Sequence, residues 1–419
     1  LLNWWYLLMR KKKIAILIDL ELSEKSGGHV KFWQRIASSL KTCKLEYDIT
    51  LFFLGNISKI IHFGNNIHFS ITRPIISSKI LRKTGVDADS TDLSPINLKL
   101  LWSLKKFDLL HTTDQLFCMS KTARMASKIW NIPLTTSYHT DAPSYTEYYV
   151  LELLKKLPCF FQRLLIHKLK LHKFISNNQK KSILKYINKC KVAFINDSFS
   201  KEQLSFFGNS VAKIDKISRG IDKNVFFKKR ISKKKILKKL KIREDNKIIF
   251  FCGRIHKLKG AILLARIQSM LDKKKIKVIT VMAGENIHGN ICKKICKNNL
   301  KILEYLPQED ISDLYNICDL FVFPSLYETG PQVVLEARAC GAICVVSESG
   351  GGKRIKNNGE DGVVITSQEP EAWVEEIEKL LVDKKKIQLM QTKVMRVGQY
   401  PSWEEIFNEI FLKKWKLII

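Results

Sequence analysis

One recurring motif constrains the fold more than any other feature. A short, unbroken apolar run ends in a glycine or polar residue and gives way to a helical pattern. "KIAILID" (Lys13–Asp19) is the first instance; the loop "LELSEKSGGHV" follows it, then a helical pattern from Val30 to Leu40. A strand buried on both faces reads as a continuous apolar run, whereas a strand with one wet face alternates. Strand, glycine-rich loop and helix in that order open a doubly wound parallel sheet. The same unit returns in "DLLHTTD" (Asp108–Asp114), "PLTTSYHTD" (Pro133–Asp141), "KVAFIND" (Lys191–Asp197) with "SKEQLSFFG" after it, and "AKIDKISRGID" (Ala212–Asp222).

The pattern then breaks. "KKRISKKKILKKLKIR" (Lys228–Arg243) is a charge run with few apolar positions, read as a linker plus a surface helix. A second series starts at "KIIFFCGRI" (Lys247–Ile255). It runs through "KVITVMAGE" (Lys277–Glu285), "LKILEYLP" (Leu300–Pro307), "CDLFVFPS" (Cys318–Ser325), "GAICVVSES" (Gly341–Ser349) and "DGVVIT" (Asp361–Thr366). Two successive α/β series predict two Rossmann-like domains facing each other across a cleft. The expected boundaries are 9–227 for the first domain and 228–398 for the second. Residues 399–419, with "SWEEIFNEIFLKKW" (Ser402–Trp415), are expected to form a C-terminal helix, and the resemblance described below implies that it crosses back to the first domain.

With 419 residues the chain is long enough for two such domains. Lys and Arg number 72 against 40 acids, a formal charge of +32. That excess attracts anionic partners: a membrane surface, nucleic acid or phosphorylated substrates. The chain is also crowded with Lys, Ile and Asn, as an A+T-rich coding sequence would make it, so only part of the charge is ascribed to function. The ten cysteines contain no CxxC pair. The Cys292/Cys296 and Cys340/Cys344 spacings read as helix-face or core positions, and a reducing compartment without a zinc site is expected. Leu1–Leu8 is apolar but too short to span a bilayer. Met9, ahead of a basic start and a strand, reads as the initiator; a short interfacial anchor with Trp4, Trp5 and Tyr6 is the alternative.

The residues suited to chemistry concentrate in the second series. In "YETGPQVVLEA" (Tyr327–Ala337) two acids, Glu328 and Glu336, flank Gly330 and Pro331. Proline suits the first turn of a helix, so Pro331 marks an expected helix start, with Glu328 in the loop before it and Glu336 inside. The free N–H groups of such a start attract phosphate, and two acids beside it could grip the hydroxyls of a sugar phosphate. A loop acid and a solvated helix acid remain the bland alternative. "GRIHKLKG" (Gly253–Gly260) follows a strand and places Arg254 and Lys259 where two cations could clamp a diphosphate; alone, two surface cations would explain it as well. Gly284 in "AGE", and Gly27 and Gly28 in "SGGHV", permit close backbone approach.

Taken in order, GRxxxxKG, the stretch "LPQEDISDLYNICDLFVFPSLYETGPQVVLEARACGA" and "ESGG" resemble the C-terminal domain of retaining GT-B glycosyltransferases, in particular their large family four. The likeness spans nearly all of Lys13 to Trp403 and includes the "GG" loop, "SYHTDAPSYTEYY" and "SRGIDKNVF". "HTD-P-Y" followed by "RGID" resembles the branch that glycosylates lipids. The resemblance implies a nucleotide-sugar donor, an acceptor such as a membrane lipid or cell-envelope glycan precursor, and no metal or other cofactor. It also implies roles. Arg254 and Lys259 neutralise the donor diphosphate, and Glu336 accepts from the ribose hydroxyls. Glu328 holds the sugar hydroxyls, with Gly253, Gly284, Thr329 and Gly330 beside the donor. His139 contacts the sugar from the first domain, where Gly27 and Gly28 approach the ligands and Asp141 and Tyr145 mark the acceptor region. One departure stands out. The family has an aromatic and a glycine where this chain has Gly330 and Pro331, and Pro331 lacks the N–H that would face the donor.

Several readings stay open at this stage. "DAD" (Asp87–Asp89) resembles the metal-binding motif of a different glycosyltransferase fold but sits in a polar loop without a strand, and reads as surface. In "VLELLKKLPCFFQRLLIHKLKLHK" (Val150–Lys173) apolar residues recur at helical spacing among cations. A core-packed helix with a solvated face and a basic amphipathic surface for anionic lipid are both compatible with it. The expected location is cytoplasmic, peripheral at the inner face of the cell membrane. Two rivals are a GT-B nucleotide-sugar epimerase, separated by assaying transfer against donor isomerisation, and a basic nucleic-acid-binding protein. The second lacks any aromatic-interleaved basic motif, and nucleic acid is not an expected partner.

Overall fold

The computed structural model describes residues 10–23, 26–80, 90–139, 141–196, 207–208, 213–326, 328, 330–397 and 400–419. Leu1–Leu8, Asp87–Asp89, Thr329 and most of the helix expected after Asp197 lie outside the described residues. The chain divides into two compact units: Leu1–Ser218 together with Trp403–Ile419, and Arg219–Ser402.

In the first unit eight strands form one sheet: β1 (Lys12–Glu21), β2 (Tyr47–Leu54), β3 (Lys59–Gly64), β4 (Ile67–Thr72), β5 (Leu109–Thr112), β6 (Leu134–Tyr138), β7 (Ala193–Asn196) and β8 (Ile214–Ile217). Their order is β3-β4-β2-β1-β5-β6-β7-β8. The pairs are parallel except β3–β4. The central strand β1 is sealed from Ile14 to Ile18, as its unbroken apolar run requires. Strands β2 to β4 were not expected from the sequence. For β3 and β4 the reason is plain in the burial: β4 alternates buried and half-buried residues and β3 is a wet edge strand, so neither gives a continuous run, whereas β2 closes on four buried residues that the sequence reading passed over. Because β1 lies between β2 and β5, the connections diverge at its carboxyl end, the switch point where doubly wound sheets hold ligands.

The C-terminal segment completes the first unit's core. Trp403, Phe407, Phe411 and Trp415 are all buried there beside Phe32, Trp33 and Phe194. A four-residue spacing overruns the 3.6-residue α-helical turn by about 40° per step. The wider π turn over Phe407–Leu412 takes up that drift and keeps the rings on one side. Each such ring contributes about 1.5–3 kcal/mol by burial.

The second unit has six strands, all parallel: β9 (Lys247–Cys252), β10 (Val278–Ala283), β11 (Leu300–Leu303), β12 (Leu320–Phe323), β13 (Cys344–Ser347) and β14 (Val363–Ile365), ordered β11-β10-β9-β12-β13-β14. Ile248, Ile249, Phe250 and Phe251 are fully buried at its centre.

The unit boundary falls at Ser218/Arg219, before the charge run that starts at Lys228. The reason is packing: Ile221 and Phe226 belong to the second core, and Ile221 N–H donates to Pro401 O at 2.9 Å. Within the charge run a helix forms over Lys233–Lys239, pinned by buried Leu237. All ten cysteines are free thiols, and Cys292, Cys296, Cys340 and Cys344 are buried.

The basic stretch after Val150 is not one core-packed helix. It breaks into Ala142–Leu154, Cys159–Gln162 and a π turn over Arg163–Lys168, and the last two bury no residue. Pro158 sits at the first break, where it cannot continue a helical ladder.

Candidate functional site

The second unit gathers its predicted residues in loops at the carboxyl ends of β9, β10 and β12. The loop after β9 begins with Gly253, at φ 144°, and closes in a 3-10 turn over Lys257–Lys259. Gly260 ends that turn at φ 81°, and a Cβ there would strike the carbonyl of Pro324. Only glycine lets the turn press against the end of β12. Two further bonds tie the loops: Leu326 N–H donates to Leu258 O at 2.9 Å, and Ser325 Oγ lies 3.2 Å from the same oxygen.

This contact brings Lys259 and Glu328 together. Lys259 Nζ lies 2.6 Å from Glu328 Oε1, with side chains 22% and 15% exposed. Ser325 Oγ lies 3.2 Å from the same carboxylate oxygen. The serines of the "ESGG" loop brace the site from behind: Ser347 Oγ and Ser349 Oγ donate to Ser325 O at 2.5 and 2.8 Å. Arg254 turns elsewhere, with Nε 3.9 Å from Glu285 Oε2. Gly284, at φ 140°, ends β10, and a Cβ on it would collide with Gly253 O.

The helix Gln332–Ala339 follows Gly330, which stands at φ 141°. Pro331 is the N-cap residue rather than the first helical one, because its ψ of 118° is extended. The N-cap residue Pro331 makes no side-chain capping bond, and the first N–H groups of a helix are the kind that favour an anion. Glu336 is 3% exposed. Burial, and to a lesser degree the Glu336 charge, raises the pKa values of Tyr315 and Cys340.

In the first unit Gly27 is the N-cap of the helix Gly28–Ser39. A Cβ on Gly28 would meet nothing within 4 Å, so packing does not demand glycine there. His139 follows β6 and is 6% exposed. Its ring stacks on His29 with centroids 4.6 Å apart, and Phe32 lies at 4.7 Å. Asp141 serves the local structure. It caps the helix Ala142–Leu154, accepting from Ser144 N at 3.3 Å and Ser144 Oγ at 2.6 Å, while Tyr138 Oη donates at 3.2 Å. Tyr145 lies on the first turn of that helix, half-buried.

Sequence reasoning passed over a second pair of acids. Asp19 lies near the carboxyl end of β1 and Asp114 follows β5, so both stand at the switch point. Asp19 is 1% exposed and accepts from Met119 N at 2.7 Å and Asp92 N at 2.9 Å. Asp114 accepts from Leu116 N and Phe117 N, each at 3.0 Å, and from the Ser120 hydroxyl. Burial pushes both carboxyls above the usual range, and for Asp19 the neighbouring Asp114 charge adds to it. The available signal was an Asp at the close of each apolar stretch, "KIAILID" and "DLLHTTD". Among the described residues no cluster of three metal-ligating side chains occurs, and no helix is long and apolar enough to cross a membrane.

Residues 232–394 match the family model of glycosyl transferases group 1. The match covers most of the second unit and less than half of the chain, which makes that unit similar to group 1 glycosyltransferases. An uncharacterised glycosyltransferase of Methanocaldococcus jannaschii is 26% identical over 203 residues, 46% of this chain and 51% of the relative. A D-inositol 3-phosphate glycosyltransferase of Corynebacterium jeikeium is 27% identical over 149 residues, 33% of this chain and 36% of the relative. The chain thus spans about half or less of the curated relatives it matches. A crystal structure of HepE from Anabaena in complex with UDP aligns with a TM-score of 0.68 at 16% identity, covering 97% of this chain and 100% of that one. Sucrose-phosphate synthase from Thermosynechococcus elongatus aligns at 0.70 with 14% identity, covering 97% and 99%. The two-domain α/β fold with parallel sheets is the GT-B fold. The second unit supplies the Lys259–Glu328 pair, and its β-strand ends carry the glycines described above.

Proposed function

We propose that this protein is a retaining glycosyltransferase that moves a sugar from a nucleotide-diphosphate-sugar to an acceptor, a membrane lipid or cell-envelope glycan precursor, without a metal ion. The observation that carries the reading is the Lys259–Glu328 pair, 2.6 Å apart inside the unit that matches group 1 glycosyltransferases. Before the donor arrives the ammonium and carboxylate neutralise each other. A diphosphate competes for Lys259, which releases Glu328 to accept hydroxyl hydrogens of the sugar. As the C1–O bond breaks, its electron pair leaves with the phosphate, and Lys259 with Arg254 stabilises the charge that grows there. These two cations can do the work of a divalent metal. Glu336 accepts from the ribose, and His139 is assigned a sugar contact. HepE, bound to UDP and to UDP-glucose, makes a uridine donor the first to try.

A specific observation favours an acceptor at a membrane. Between Leu153 and Phe174, Phe160 is 74% exposed, and Phe161, Leu169 and Phe174 are exposed as well. Lys155, Lys156, Arg163, Lys168, Lys170 and Lys173 are exposed among them. Apolar side chains that enter a lipid interface beside cations facing anionic headgroups are what peripheral docking needs. The protein would then work at the cytoplasmic face.

The test is a screen of purified protein against nucleotide sugars by thermal shift and slow hydrolysis, followed by the anomeric configuration of the product. Transfer with retention is expected. Donor isomerisation without transfer supports an epimerase instead, and activity lost to EDTA and restored by Mg²⁺ or Mn²⁺ overturns metal independence.

A further inference from the structure

The first unit holds a cavity of about 420 Å³ whose lining residues all belong to that unit and none of which is assigned to the donor or the sugar. Two helices wall it. Lys121 and Arg124 stand one turn apart on Cys118–Trp130, and Gln179, Ser182 and Lys185 recur at three-residue steps along Leu171–Ile187. Residues three apart are neighbours on one helix face, so each helix turns a polar stripe to the space between. Tyr186 holds the helices together at this point. Its hydroxyl donates to Ser120 O at 3.0 Å, and the Arg124 guanidinium lies 5.8 Å from its ring centroid.

The charge of the lining is one-sided. Its single carboxylate, Asp92, is 1% exposed and spent on the main chain: it accepts from Ile75 N, Ile76 N and Ser94 N at 2.9, 3.1 and 3.0 Å. Among the described residues no carboxylate forms an ion pair with Lys121, Arg124 or Lys185. The Lys121 charge reaches Asp114 only at longer range, where it helps to hold that carboxyl down. A chain with 72 cations leaves many of them unpaired at its surface. These three differ in that two helices bring them to one cavity, where like charges repel until an anion enters.

The remaining residues set the ligand's size and character. Leu93, Leu116 and Phe117 give the cavity an apolar side. Its volume falls within the range of about 300–1,000 Å³ usual for small-molecule sites, which leaves room for an organic group beyond a bare phosphate. Two acceptors are available to that group. Ser182 Oγ gives its hydrogen to Asn178 O at 3.0 Å and keeps lone pairs to accept with. Gln179 Oε1 is buried and makes no hydrogen bond among the described residues; a turn of the amide toward the cavity would satisfy it on a ligand hydroxyl. We infer that this cavity binds a phosphate ester that carries hydroxyls, with Lys121, Arg124 and Lys185 on the phosphate and Gln179 and Ser182 on the hydroxyls. A soluble polyol phosphate and a lipid headgroup share that chemistry. The inference does not rest on the transferase reading, and either can fail without the other.

The test is calorimetric titration of the full-length protein at physiological salt with glycerol 3-phosphate, and with glycerol and inorganic phosphate as its two halves. One glycerol 3-phosphate should bind per chain, at least tenfold tighter than either half. Lys121→Gln, Arg124→Gln and Lys185→Gln should each weaken it about tenfold or more, as loss of a charged hydrogen bond does. Lys128→Gln, the same charge change on an exposed residue of the same helix outside the cavity, should leave it unchanged. If Arg124→Gln disturbs the Tyr186 contact, Lys185→Gln carries the comparison. A second arm uses vesicles containing phosphatidylglycerol. Vesicle binding that glycerol 3-phosphate competes away, and that Lys185→Gln weakens more than Lys128→Gln, identifies a lipid headgroup. Vesicle binding indifferent to both, beside a soluble titration that the cavity variants weaken, identifies a free ester. Glycerol 3-phosphate held no tighter than phosphate, lost equally in Lys128→Gln, or retained in all three cavity variants reports diffuse charge or another site and overturns the inference.

Discussion

Lys259 Nζ and Glu328 Oε1 are held 2.6 Å apart by two loops that only Gly260 allows to touch. The two residues assigned to the donor in the proposed reading therefore satisfy each other, and in that reading each is freed by the ligand group that displaces its partner. The pair keeps part of its surface in water and Glu328 retains the Ser325 hydroxyl as a donor, so removing Lys259 strands no fully buried charge. Lys259→Ala should accordingly lower turnover by about 10²–10³-fold, in the range of other charge-stabilising donors, while shifting the unfolding midpoint little. Chemical denaturation alongside initial rates checks this; a collapsed fold with normal specific activity would assign the pair to structure alone.

Glu336→Gln should weaken nucleotide-sugar binding by roughly tenfold, since hydrogen bonds to a charged acceptor contribute about 1.5–3 kcal/mol and an amide recovers part of it. Calorimetric titration with the donor found in the screen measures it. Unchanged affinity together with unchanged turnover would remove Glu336 from the site.

Asp361→Asn should destabilise the second unit by about 3–5 kcal/mol at neutral pH, the usual cost of stranding a buried charge. Arg338 is fully buried and donates to both the carboxylate and the main-chain oxygen of Asp361, each at 2.6 Å. Burial raises the Asp361 carboxyl, but the Asn357 N–H and the Arg338 guanidinium outweigh it and leave the group below its ordinary range. A depressed acid lends stability above its unfolded value near 3.8 and loses it as pH falls through the folded one. The gap between wild type and variant should therefore narrow below about pH 4. Urea midpoints across pH 3 to 8 test the trend.

Fully buried His111 gives the first unit a handle of the same sign in a higher pH window. A base whose pKa falls from 6.5 to about 3 on folding stabilises the fold above pH 6.5 and loses that contribution as the pH drops toward 3. Each unit in that window should cost about 1.4 kcal/mol. In His111→Gln this slope should be missing. Equal acid sensitivity in both proteins would mean that His111 is not buried as described.

Vesicles containing anionic lipid should bind the protein at low salt, neutral vesicles weakly, and high salt should release only part of it. Each cation near an anionic surface contributes about 1 kcal/mol, screened by salt, whereas inserted Phe and Leu are indifferent to it. Replacing Lys155, Lys156, Arg163 and Lys168 with Gln should weaken binding and leave donor hydrolysis intact. Phe160→Ser should remove the salt-resistant part. If the wild type ignores anionic vesicles, a soluble acceptor is the better assignment.

Legibility in the sequence followed burial. Strands sealed on both faces, such as β1 and β9, announce themselves as apolar runs because every side chain meets the core. The β3–β4 edge hairpin did not, since its residues answer to water on one side. In the site, Lys259 and Glu328 were readable from loop motifs that close strands, but their mutual contact was not: it depends on Gly260 meeting Pro324, residues far apart in sequence. The cavity between Cys118–Trp130 and Leu171–Ile187 was hidden for a related reason. Lys, Arg and Gln are ordinary surface residues of a helix until the packing of the two helices is known. Around Val150–Lys173 periodicity alone could not separate a core helix from a wet one, and the breaks near Pro158 and Lys170 decided it.

The return of Trp403–Ile419 to the first unit sets an order on biosynthesis. A chain leaves the ribosome from its N-terminus, and domains ordinarily become native in that sequence. Here the earlier-made unit lacks Phe407, Phe411 and Trp415 until translation has passed through the whole of the later one. The second unit, contiguous from Arg219 to Ser402, can reach its native state while the first still exposes an aromatic seam. During that interval the nascent first unit is the natural client of a chaperone, and a premature stop before Trp403 leaves it permanently unfinished.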